Sequence, residues 1–349
     1  MHSCNMIQLL IAALCCTIAS ATQCPSGPPS TNTTSGGMVY TYPYPIRYAQ
    51  LQTQHQSLCQ AYMDVSPPST ANTSYSGPQR TVVLLHGKNF CGATWNATAE
   101  VLLSQGYRVV LPDQIGFCKS DKPDAYQFSL QQFALNTKTI LNSLNLTSVY
   151  VLGHSMGGML ATRFSLMYPD LVAGLMLVNP IGLEDWKAKG VPYLSIDNIY
   201  TTERASNYSS IRGYEQATYY VNSWKPAYDV WVNMLLAVYN GSRAEIYAFD
   251  QALVTDMVMT QPIAYEFGGL ANTPTLLMIG EKDNTAIGKQ WSPPAVAAKL
   301  GNYTALGRAT ADAIGENCTY VPFADLGHAP QIQEPDRFHD AVLQWLGNH

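Results

Sequence analysis

The stretch that decides the fold of this chain is GHSMGG, residues 153–158. It follows the β-branched and aromatic run 148–152, which predicts a buried strand. It precedes residues 159–168, which predict a helix that ends before Pro169. Glycines on both sides of the serine let two backbones cross closely, while the serine occupies a strained turn with its hydroxyl exposed. The pattern therefore predicts a strand–turn–helix unit with Ser155 as a nucleophile.

Other segments predict a sheet around this unit. Runs of aliphatic and β-branched residues predict five further strands, at 81–85, 109–112, 174–178, 275–280 and 320–323. Strands that alternate with helices from residue 80 onward predict a mostly parallel sheet with helices on both faces. Two of the strands are followed by Asp283 and His328. A serine nucleophile needs a histidine base and a carboxylate that orients the histidine, so Ser155, Asp283 and His328 form a candidate triad.

With these motifs in this order, the chain resembles the α/β-hydrolases that carry a lid, a group that includes esterases, lipases, C–C hydrolases and serine haloperoxidases. The resemblance runs from about Thr81 to Leu346, and it covers residues from Ile181 to about Leu270 only as a variable lid. It implies an α/β fold with a mostly parallel α/β-hydrolase sheet and a largely helical lid insertion.

The resemblance also implies an oxyanion hole. Its donors would be the backbone N–H groups of Lys88 and Met156, which leave the identity of both side chains free. The side chain of Asn89 is a candidate for the substrate pocket. Asp113 resembles an acid that organises a turn in this fold rather than a catalytic one.

Some assignments have competitors in the sequence. Asp283 competes for the acid position with Glu184 and Asp185, which follow the preceding strand. Among the histidines, His86 and His154 lie inside the motifs, where we expect them to shape turns rather than to carry protons.

A serine in the elbow favours acyl substrates. Relatives of this fold that act on haloalkanes or epoxides use an aspartate there, because their intermediate is an alkyl ester. Residues 87–89, Gly-Lys-Asn, also depart from the Gly-Gly-Pro of the proline iminopeptidases. The predicted function is a secreted carboxylic-ester hydrolase that acts through an acyl-enzyme on a partly apolar small molecule. The alternatives are a lactonase or C–C hydrolase of a secondary metabolite, and a non-catalytic ligand-binding protein.

Composition excludes several other classes of function. The chain has 349 residues, of which 12% are charged, and a net charge of -5 without a basic cluster, so we expect no nucleic-acid partner. No apolar stretch is long enough to predict a stable membrane anchor in the mature chain. No Cys/His spacing indicates a zinc site, and we expect no cofactor. The sequence leaves the oligomeric state open.

Residues 1–21 predict a secretory signal peptide. An apolar core at 9–18 precedes Ala19-Ser20-Ala21, a small-residue cleavage site, although residues 1–6 contain no lysine or arginine. The alternative is a buried N-terminal helix. Eight N-x-S/T sequons support secretion to the extracellular space or a vacuole. Their candidate glycan acceptors are Asn32, Asn72, Asn96, Asn145, Asn207, Asn240, Asn302 and Asn317.

Five cysteines remain after residue 21, so at most two disulfides form and one thiol stays free. Cys91 and Cys118 both follow strands that end on the predicted catalytic side, which favours their pairing. Cys24 with Cys59 would then fix the N-terminal arm, and Cys318 would be a core residue. The sequence itself leaves this connectivity open.

The expected organisation has five parts. After the signal peptide come a flexible arm with edge strands at 22–79 and the first part of the core at 80–180. The lid insertion at 181–270 and the second part of the core at 271–349 follow. The lid segment carries three tryptophans and ten tyrosines, and we expect most of these rings to pack the lid while a few face the substrate.

Overall fold

A computed structural model of the chain describes residues 23–71, 77 and 79–349. The predicted signal peptide and the sequon at Asn72 lie outside the described residues. None of the helices in the described ranges is long and apolar enough to cross a membrane.

The described chain contains an eight-stranded sheet. Its strands are β1 Ile46–Thr53, β2 Gln56–Val65, β3 Thr81–Leu85, β4 Arg108–Pro112, β5 Val149–His154, β6 Val172–Val178, β7 Thr275–Gly280 and β8 Cys318–Phe323. Their spatial order is β1-β2-β4-β3-β5-β6-β7-β8. The pairs β1–β2 and β2–β4 are antiparallel, and the other pairs are parallel. The predicted fold class is confirmed.

The helices pack around this sheet. They are α1 Asn96–Ser104, α2 Leu130–Ser143, α3 Met156–Met167, α4 Ile196–Arg204, α5 Tyr208–Thr218, α6 Asp229–Tyr239, α7 Ala244–Thr260, α8 Pro294–Ala297, α9 Tyr303–Ile314, α10 Pro330–Gln333 and α11 Pro335–Gly347. Helix α2 packs on α3, and α1 packs on α11. Strands β3, β5 and β7 are buried along their whole length. Strands covered on both faces are continuous apolar runs rather than alternating ones, which is why these runs can be recognised in the sequence.

The helices α4 to α7 lie between β6 and β7 in the chain, inside the predicted lid segment 181–270. Helix α7 packs on α4, and α6 packs on both α5 and α7. Many lid aromatics pack on one another, as expected. The ring of Tyr220 stacks on that of Tyr228 with centroids 3.9 Å apart, and Tyr239 meets Tyr247 edge-on at 4.8 Å.

The N-terminal arm, which composition predicts to be flexible, makes contacts with the body of the protein. The backbone of Ser30 pairs with Ile46 at the start of β1, and the buried ammonium of Lys119 donates hydrogen bonds to the carbonyls of Thr33 and Met38. These contacts join residues that are distant in the sequence, so composition does not indicate them, and the flexibility of the arm stays a prediction.

The disulfides are Cys24–Cys59 and Cys91–Cys118, which is the pairing favoured from the sequence. The thiol of Cys318 is free and partly exposed rather than in the core. Cys91 and Cys118 also lie beside the carboxylate of Asp113. Their sulfurs are bonded to each other, so this cluster does not supply thiolate ligands for a metal ion.

Candidate active site

Ser155 occupies a sharp turn between β5 and α3. Its φ of 57° and ψ of -122° place it in the left-handed half of conformational space, where non-glycine residues are strained. A Cβ added to Gly153 would lie 2.1 Å from the carbonyl oxygen of Gly157, and one added to Gly157 would lie 2.2 Å from that of Leu85. Only glycine therefore fits at both positions, and the turn has the geometry of a nucleophile elbow.

A buried His–Asp pair lies at the same edge of the sheet. The Nδ1 atom of His328 is 2.6 Å from Oδ2 of Asp283, and both side chains are fully buried. The backbone N–H of Thr285 donates to the other carboxylate oxygen of Asp283 at 2.8 Å. These bonds fix the ring of His328 with Nδ1 toward the acid, so its Nε2 atom is the one free to accept a proton.

His154 connects the His328–Asp283 pair with the turn of Ser155. It directly precedes Ser155, and its Nε2 atom is 2.8 Å from the carbonyl oxygen of His328. The Nε2 atom of His328 is buried and has no hydrogen-bond partner in the part of the chain that the structure describes. The hydrogen bond from the Ser155 hydroxyl to His328 is therefore not formed here. Such bonds are often long without substrate and tighten in the reactive complex.

The structure brings Asp283 to His328, and it holds both competing acids elsewhere. Glu184 forms a 2.5 Å ion pair with Lys189 and accepts the backbone N–H of Gly301 at 2.9 Å. Asp185 accepts the hydroxyl of Tyr265 and the backbone N–H of Ala188.

The competing histidines are held by backbone groups. Nε2 of His86 accepts the backbone N–H of Gln114 at 3.0 Å, and its Nδ1 donates to the carbonyl of Gly87 at 2.8 Å. Burial lowers the pKa of His86. The pKa of His154 is lowered well below its usual value, mainly by burial and secondly by the proximity of His328. Both rings are therefore neutral near pH 7. Asp113 accepts the backbone N–H groups of Gly92 and Lys119, which fits a role in organising turns.

The expected oxyanion donors lie beside the elbow. Met156 is the first residue of α3, so its N–H has no acceptor within the helix, and the positive end of the helix dipole points there. A Cβ on Gly87 would lie 3.0 Å from that of Ser155, which places the loop of Lys88 against the elbow. The ammonium of Lys88 points away to the lid, where it donates to Glu203 at 2.6 Å.

Tyr219 covers the candidate site, although the sequence does not distinguish it from the other lid tyrosines. Its ring centroid is 4.7 Å from that of His328. Its hydroxyl accepts a hydrogen bond from the side-chain amide of Asn89 at 2.9 Å. The amide of Asn89, a candidate pocket residue, is thus bonded to the lid in this structure.

Asn179 forms a hydrogen bond with the carboxylate of Asp283, and it was not identified as a site residue from the sequence. It follows β6, and its amide nitrogen donates to Oδ2 of Asp283 at 2.9 Å. Its amide oxygen accepts the backbone N–H of Gly280 at 2.8 Å. Its place at a strand end beside the elbow strand is the signal that could have revealed it.

Asn179→Ala is expected to lower kcat about tenfold to a hundredfold, because a buried carboxylate loses a hydrogen-bond donor. The matched control is Asn136→Ala, which removes a buried amide of α2 that donates to the hydroxyl of Tyr126. It should lower the free energy of unfolding without changing kcat. An equal loss of kcat in both variants would contradict a positioning role for Asn179.

A pocket of about 810 Å³ lies between the β1–β2 hairpin, residues 121–124 and Arg243. None of the three candidate triad residues lines it, so it lies outside the candidate active site.

Comparison with known proteins agrees with this architecture. A family model for the α/β-hydrolase fold matches residues 80–195. The crystal structure of a "probable hydrolytic enzyme" from Pseudomonas aeruginosa PAO1 is 50% identical, has a TM-score of 0.85, and is matched over 91% of this chain and 99% of its own. An esterase from Exiguobacterium antarcticum has a TM-score of 0.65 over 86% of this chain and 100% of its own. Its 19% identity shows the fold alone.

Curated relatives match a shorter region. The 2-hydroxy-6-oxononadienedioate/2-hydroxy-6-oxononatrienedioate hydrolase of Paraburkholderia xenovorans (strain LB400) is 37% identical over 102 residues, which are 28% of this chain and 35% of that protein. The chain spans between 35% and 40% of the length of the first curated relatives that it matches.

Proposed function

The chain belongs to the α/β-hydrolase family, and on that premise we propose that it is a serine hydrolase that acts on carboxylic esters through an acyl-enzyme. The observation that carries this proposal is the buried His328–Asp283 pair, at 2.6 Å, next to a strained Ser155 elbow. A hydrolase of this family acts on a small molecule, and the aromatic lid suits a partly apolar one.

In the proposed mechanism, Oγ of Ser155 attacks the carbonyl carbon of the ester while Nε2 of His328 takes the serine proton. Asp283 holds the imidazole orientation and stabilises the imidazolium that forms. The backbone N–H groups of Lys88 and Met156 donate to the oxyanion. His328 then protonates the leaving alcohol. His328 next deprotonates a water molecule that attacks the acyl carbon, and it returns this proton to Oγ of Ser155 as the carboxylic acid leaves.

A second candidate function is hydrolysis of a C–C bond or a lactone. The observation that favours C–C bond hydrolysis is the 37% identity over 102 residues to a relative named as a 2-hydroxy-6-oxononadienedioate/2-hydroxy-6-oxononatrienedioate hydrolase. A non-catalytic ligand-binding protein is the remaining alternative, and the experiment below separates all three.

We also propose that residues 1–21 are a signal peptide and that the mature protein is a secreted glycoprotein. The seven described sequon asparagines support this proposal. Asn96 is half-buried, and the other six are exposed: Asn32, Asn145, Asn207, Asn240, Asn302 and Asn317. Two disulfides are compatible with an oxidising compartment. The division into arm, two core parts and a lid at 181–270 is likewise proposed.

The function is tested by incubating the secreted protein with a fluorophosphonate and mapping the labelled peptide by mass spectrometry. In parallel, turnover of p-nitrophenyl butyrate, of a γ-lactone and of a vinylogous 1,5-diketone is measured. Labelling of Ser155 with ester turnover supports the proposal. Labelling with turnover of the lactone or diketone alone supports the second candidate. Absence of both labelling and turnover would favour a binding protein.

A further inference from the structure

A carboxyl group in the lid has no partner for its hydrogen bonds. Glu215, in α5, is fully buried, and neither of its carboxyl oxygens has a donor among the described residues. The buried hydroxyl of Tyr220 likewise has no partner there. Most buried polar side chains in proteins are hydrogen-bonded, so two unpartnered groups in one place need an explanation.

The position of Glu215 connects it to the candidate active site. Ile211, Glu215 and Tyr219 follow one another at intervals of four residues, so they share one face of α5 and its C-terminal end. All three are buried. Tyr219 lies on His328, with ring centroids 4.7 Å apart. Glu215 is therefore about one helical turn, roughly 5–6 Å, from the residue that covers the catalytic histidine.

The surroundings of Glu215 keep it uncharged. Burial raises the pKa of Glu215 to about 8, and the neighbouring hydroxyls of Tyr219 and Tyr220 are also buried and neutral. Arg212, three residues earlier in the chain, lies over the ring of Trp224, and burial is the cause of the raised pKa of Glu215. A protonated carboxyl group offers one hydrogen-bond donor and an acceptor in the same plane. A neutral hydroxyl or amide matches that arrangement, whereas a methyl group cannot use it.

We propose that Glu215 is a recognition residue that binds a neutral hydrogen-bonding group, a hydroxyl or a primary amide, in the part of the substrate that lies under the lid. The proposal rests on the proposed function, because it places the reacting ester at Ser155. It makes the lid selective for substrates that carry a polar group at a fixed distance from the ester bond. A site that holds such a group rejects the apolar isostere, since its own polar atoms then stay unpartnered.

The test uses pairs of p-nitrophenyl esters with acyl chains of four to eight carbons. One member of each pair ends in a primary amide, and the other ends in the isosteric isopropyl group. A separate ester of the same chain length ends in trimethylammonium. For each enzyme, kcat/KM is normalised to active sites titrated with fluorophosphonate, so that misfolded protein is not counted. The amide-to-isopropyl ratio for the wild type should reach about ten at one chain length.

Glu215→Leu should reduce this ratio to about one, and Glu215→Gln, which keeps a donor and an acceptor, should retain most of it. The matched controls are Glu245→Leu and Glu245→Gln at an exposed lid carboxylate, and both should keep the wild-type ratio. A ratio near one in the wild type, or an equal ratio in wild type and Glu215→Leu, would overturn the inference. A higher kcat/KM for the trimethylammonium ester than for the amide ester would show that the lid binds a cation rather than a neutral group, which would also overturn the inference. Absence of labelling at Ser155 and of turnover in every enzyme would instead overturn the proposed function.

Discussion

Replacing Ser155 with alanine is expected to lower kcat for ester hydrolysis about 10⁶-fold, with little change in KM. The hydroxyl is the atom that becomes acylated, and no other side chain at the elbow can take its place. The backbone donors of Lys88 and Met156 remain, so a residual rate of about 10³ to 10⁴ over water should persist. Steady-state kinetics with a chromogenic ester, together with fluorophosphonate labelling, measure both quantities.

The matched control is Ser165→Ala. Ser165 is a buried serine in α3, and its hydroxyl donates to the carbonyl of Ala161 at 2.9 Å. Its loss should lower stability slightly and leave labelling and kcat intact. If Ser155→Ala retains more than a hundredth of the wild-type kcat while remaining folded, the nucleophile is another residue and the acyl-enzyme mechanism is wrong.

The parts of the site that follow from local sequence could be predicted. The elbow depends on glycines only two residues away from Ser155, and its strand is a continuous buried run. Asp283 and His328 follow predicted strands. The ends of parallel strands meet at one edge of a sheet, so the pair could be expected to meet as well.

The parts of the site that depend on tertiary packing could not be predicted. Tyr219 and Glu215 lie in a lid with ten tyrosines and several carboxylates. The docking of α5 alone decides that the ring of Tyr219 contacts His328 and that Glu215 lies one helical turn away from Tyr219. The sequence indicates that the segment is helical and aromatic, but the orientation of its helices depends on contacts with distant elements such as the loop of Asn89. The same limit applies to the N-terminal arm, because its contact with the buried Lys119 joins residues that are distant in the sequence.

Asp283→Asn is expected to lower kcat about 10⁴-fold while the fold stays intact. The carboxamide can present its NH₂ group to His328, which then keeps its proton on Nε2, the atom that must accept the proton of Ser155. The imidazolium formed during attack also loses its counter-charge. Both effects act on the transition state rather than on substrate binding, so KM should change little.

Glu184→Gln is the informative control, because Glu184 is buried like Asp283, follows β6 as Asp283 follows β7, and competes with Asp283 in the sequence. Its carboxylate pairs with Lys189 and not with His328. The substitution should therefore lower the free energy of unfolding, measured by urea titration, and leave kcat within about threefold, since a structural ion pair does not act on the transition state. The opposite pattern, with activity lost in Glu184→Gln and kept in Asp283→Asn, would assign the acid to Glu184. The 2.6 Å contact between Asp283 and His328 predicts that activity is lost in Asp283→Asn and kept in Glu184→Gln.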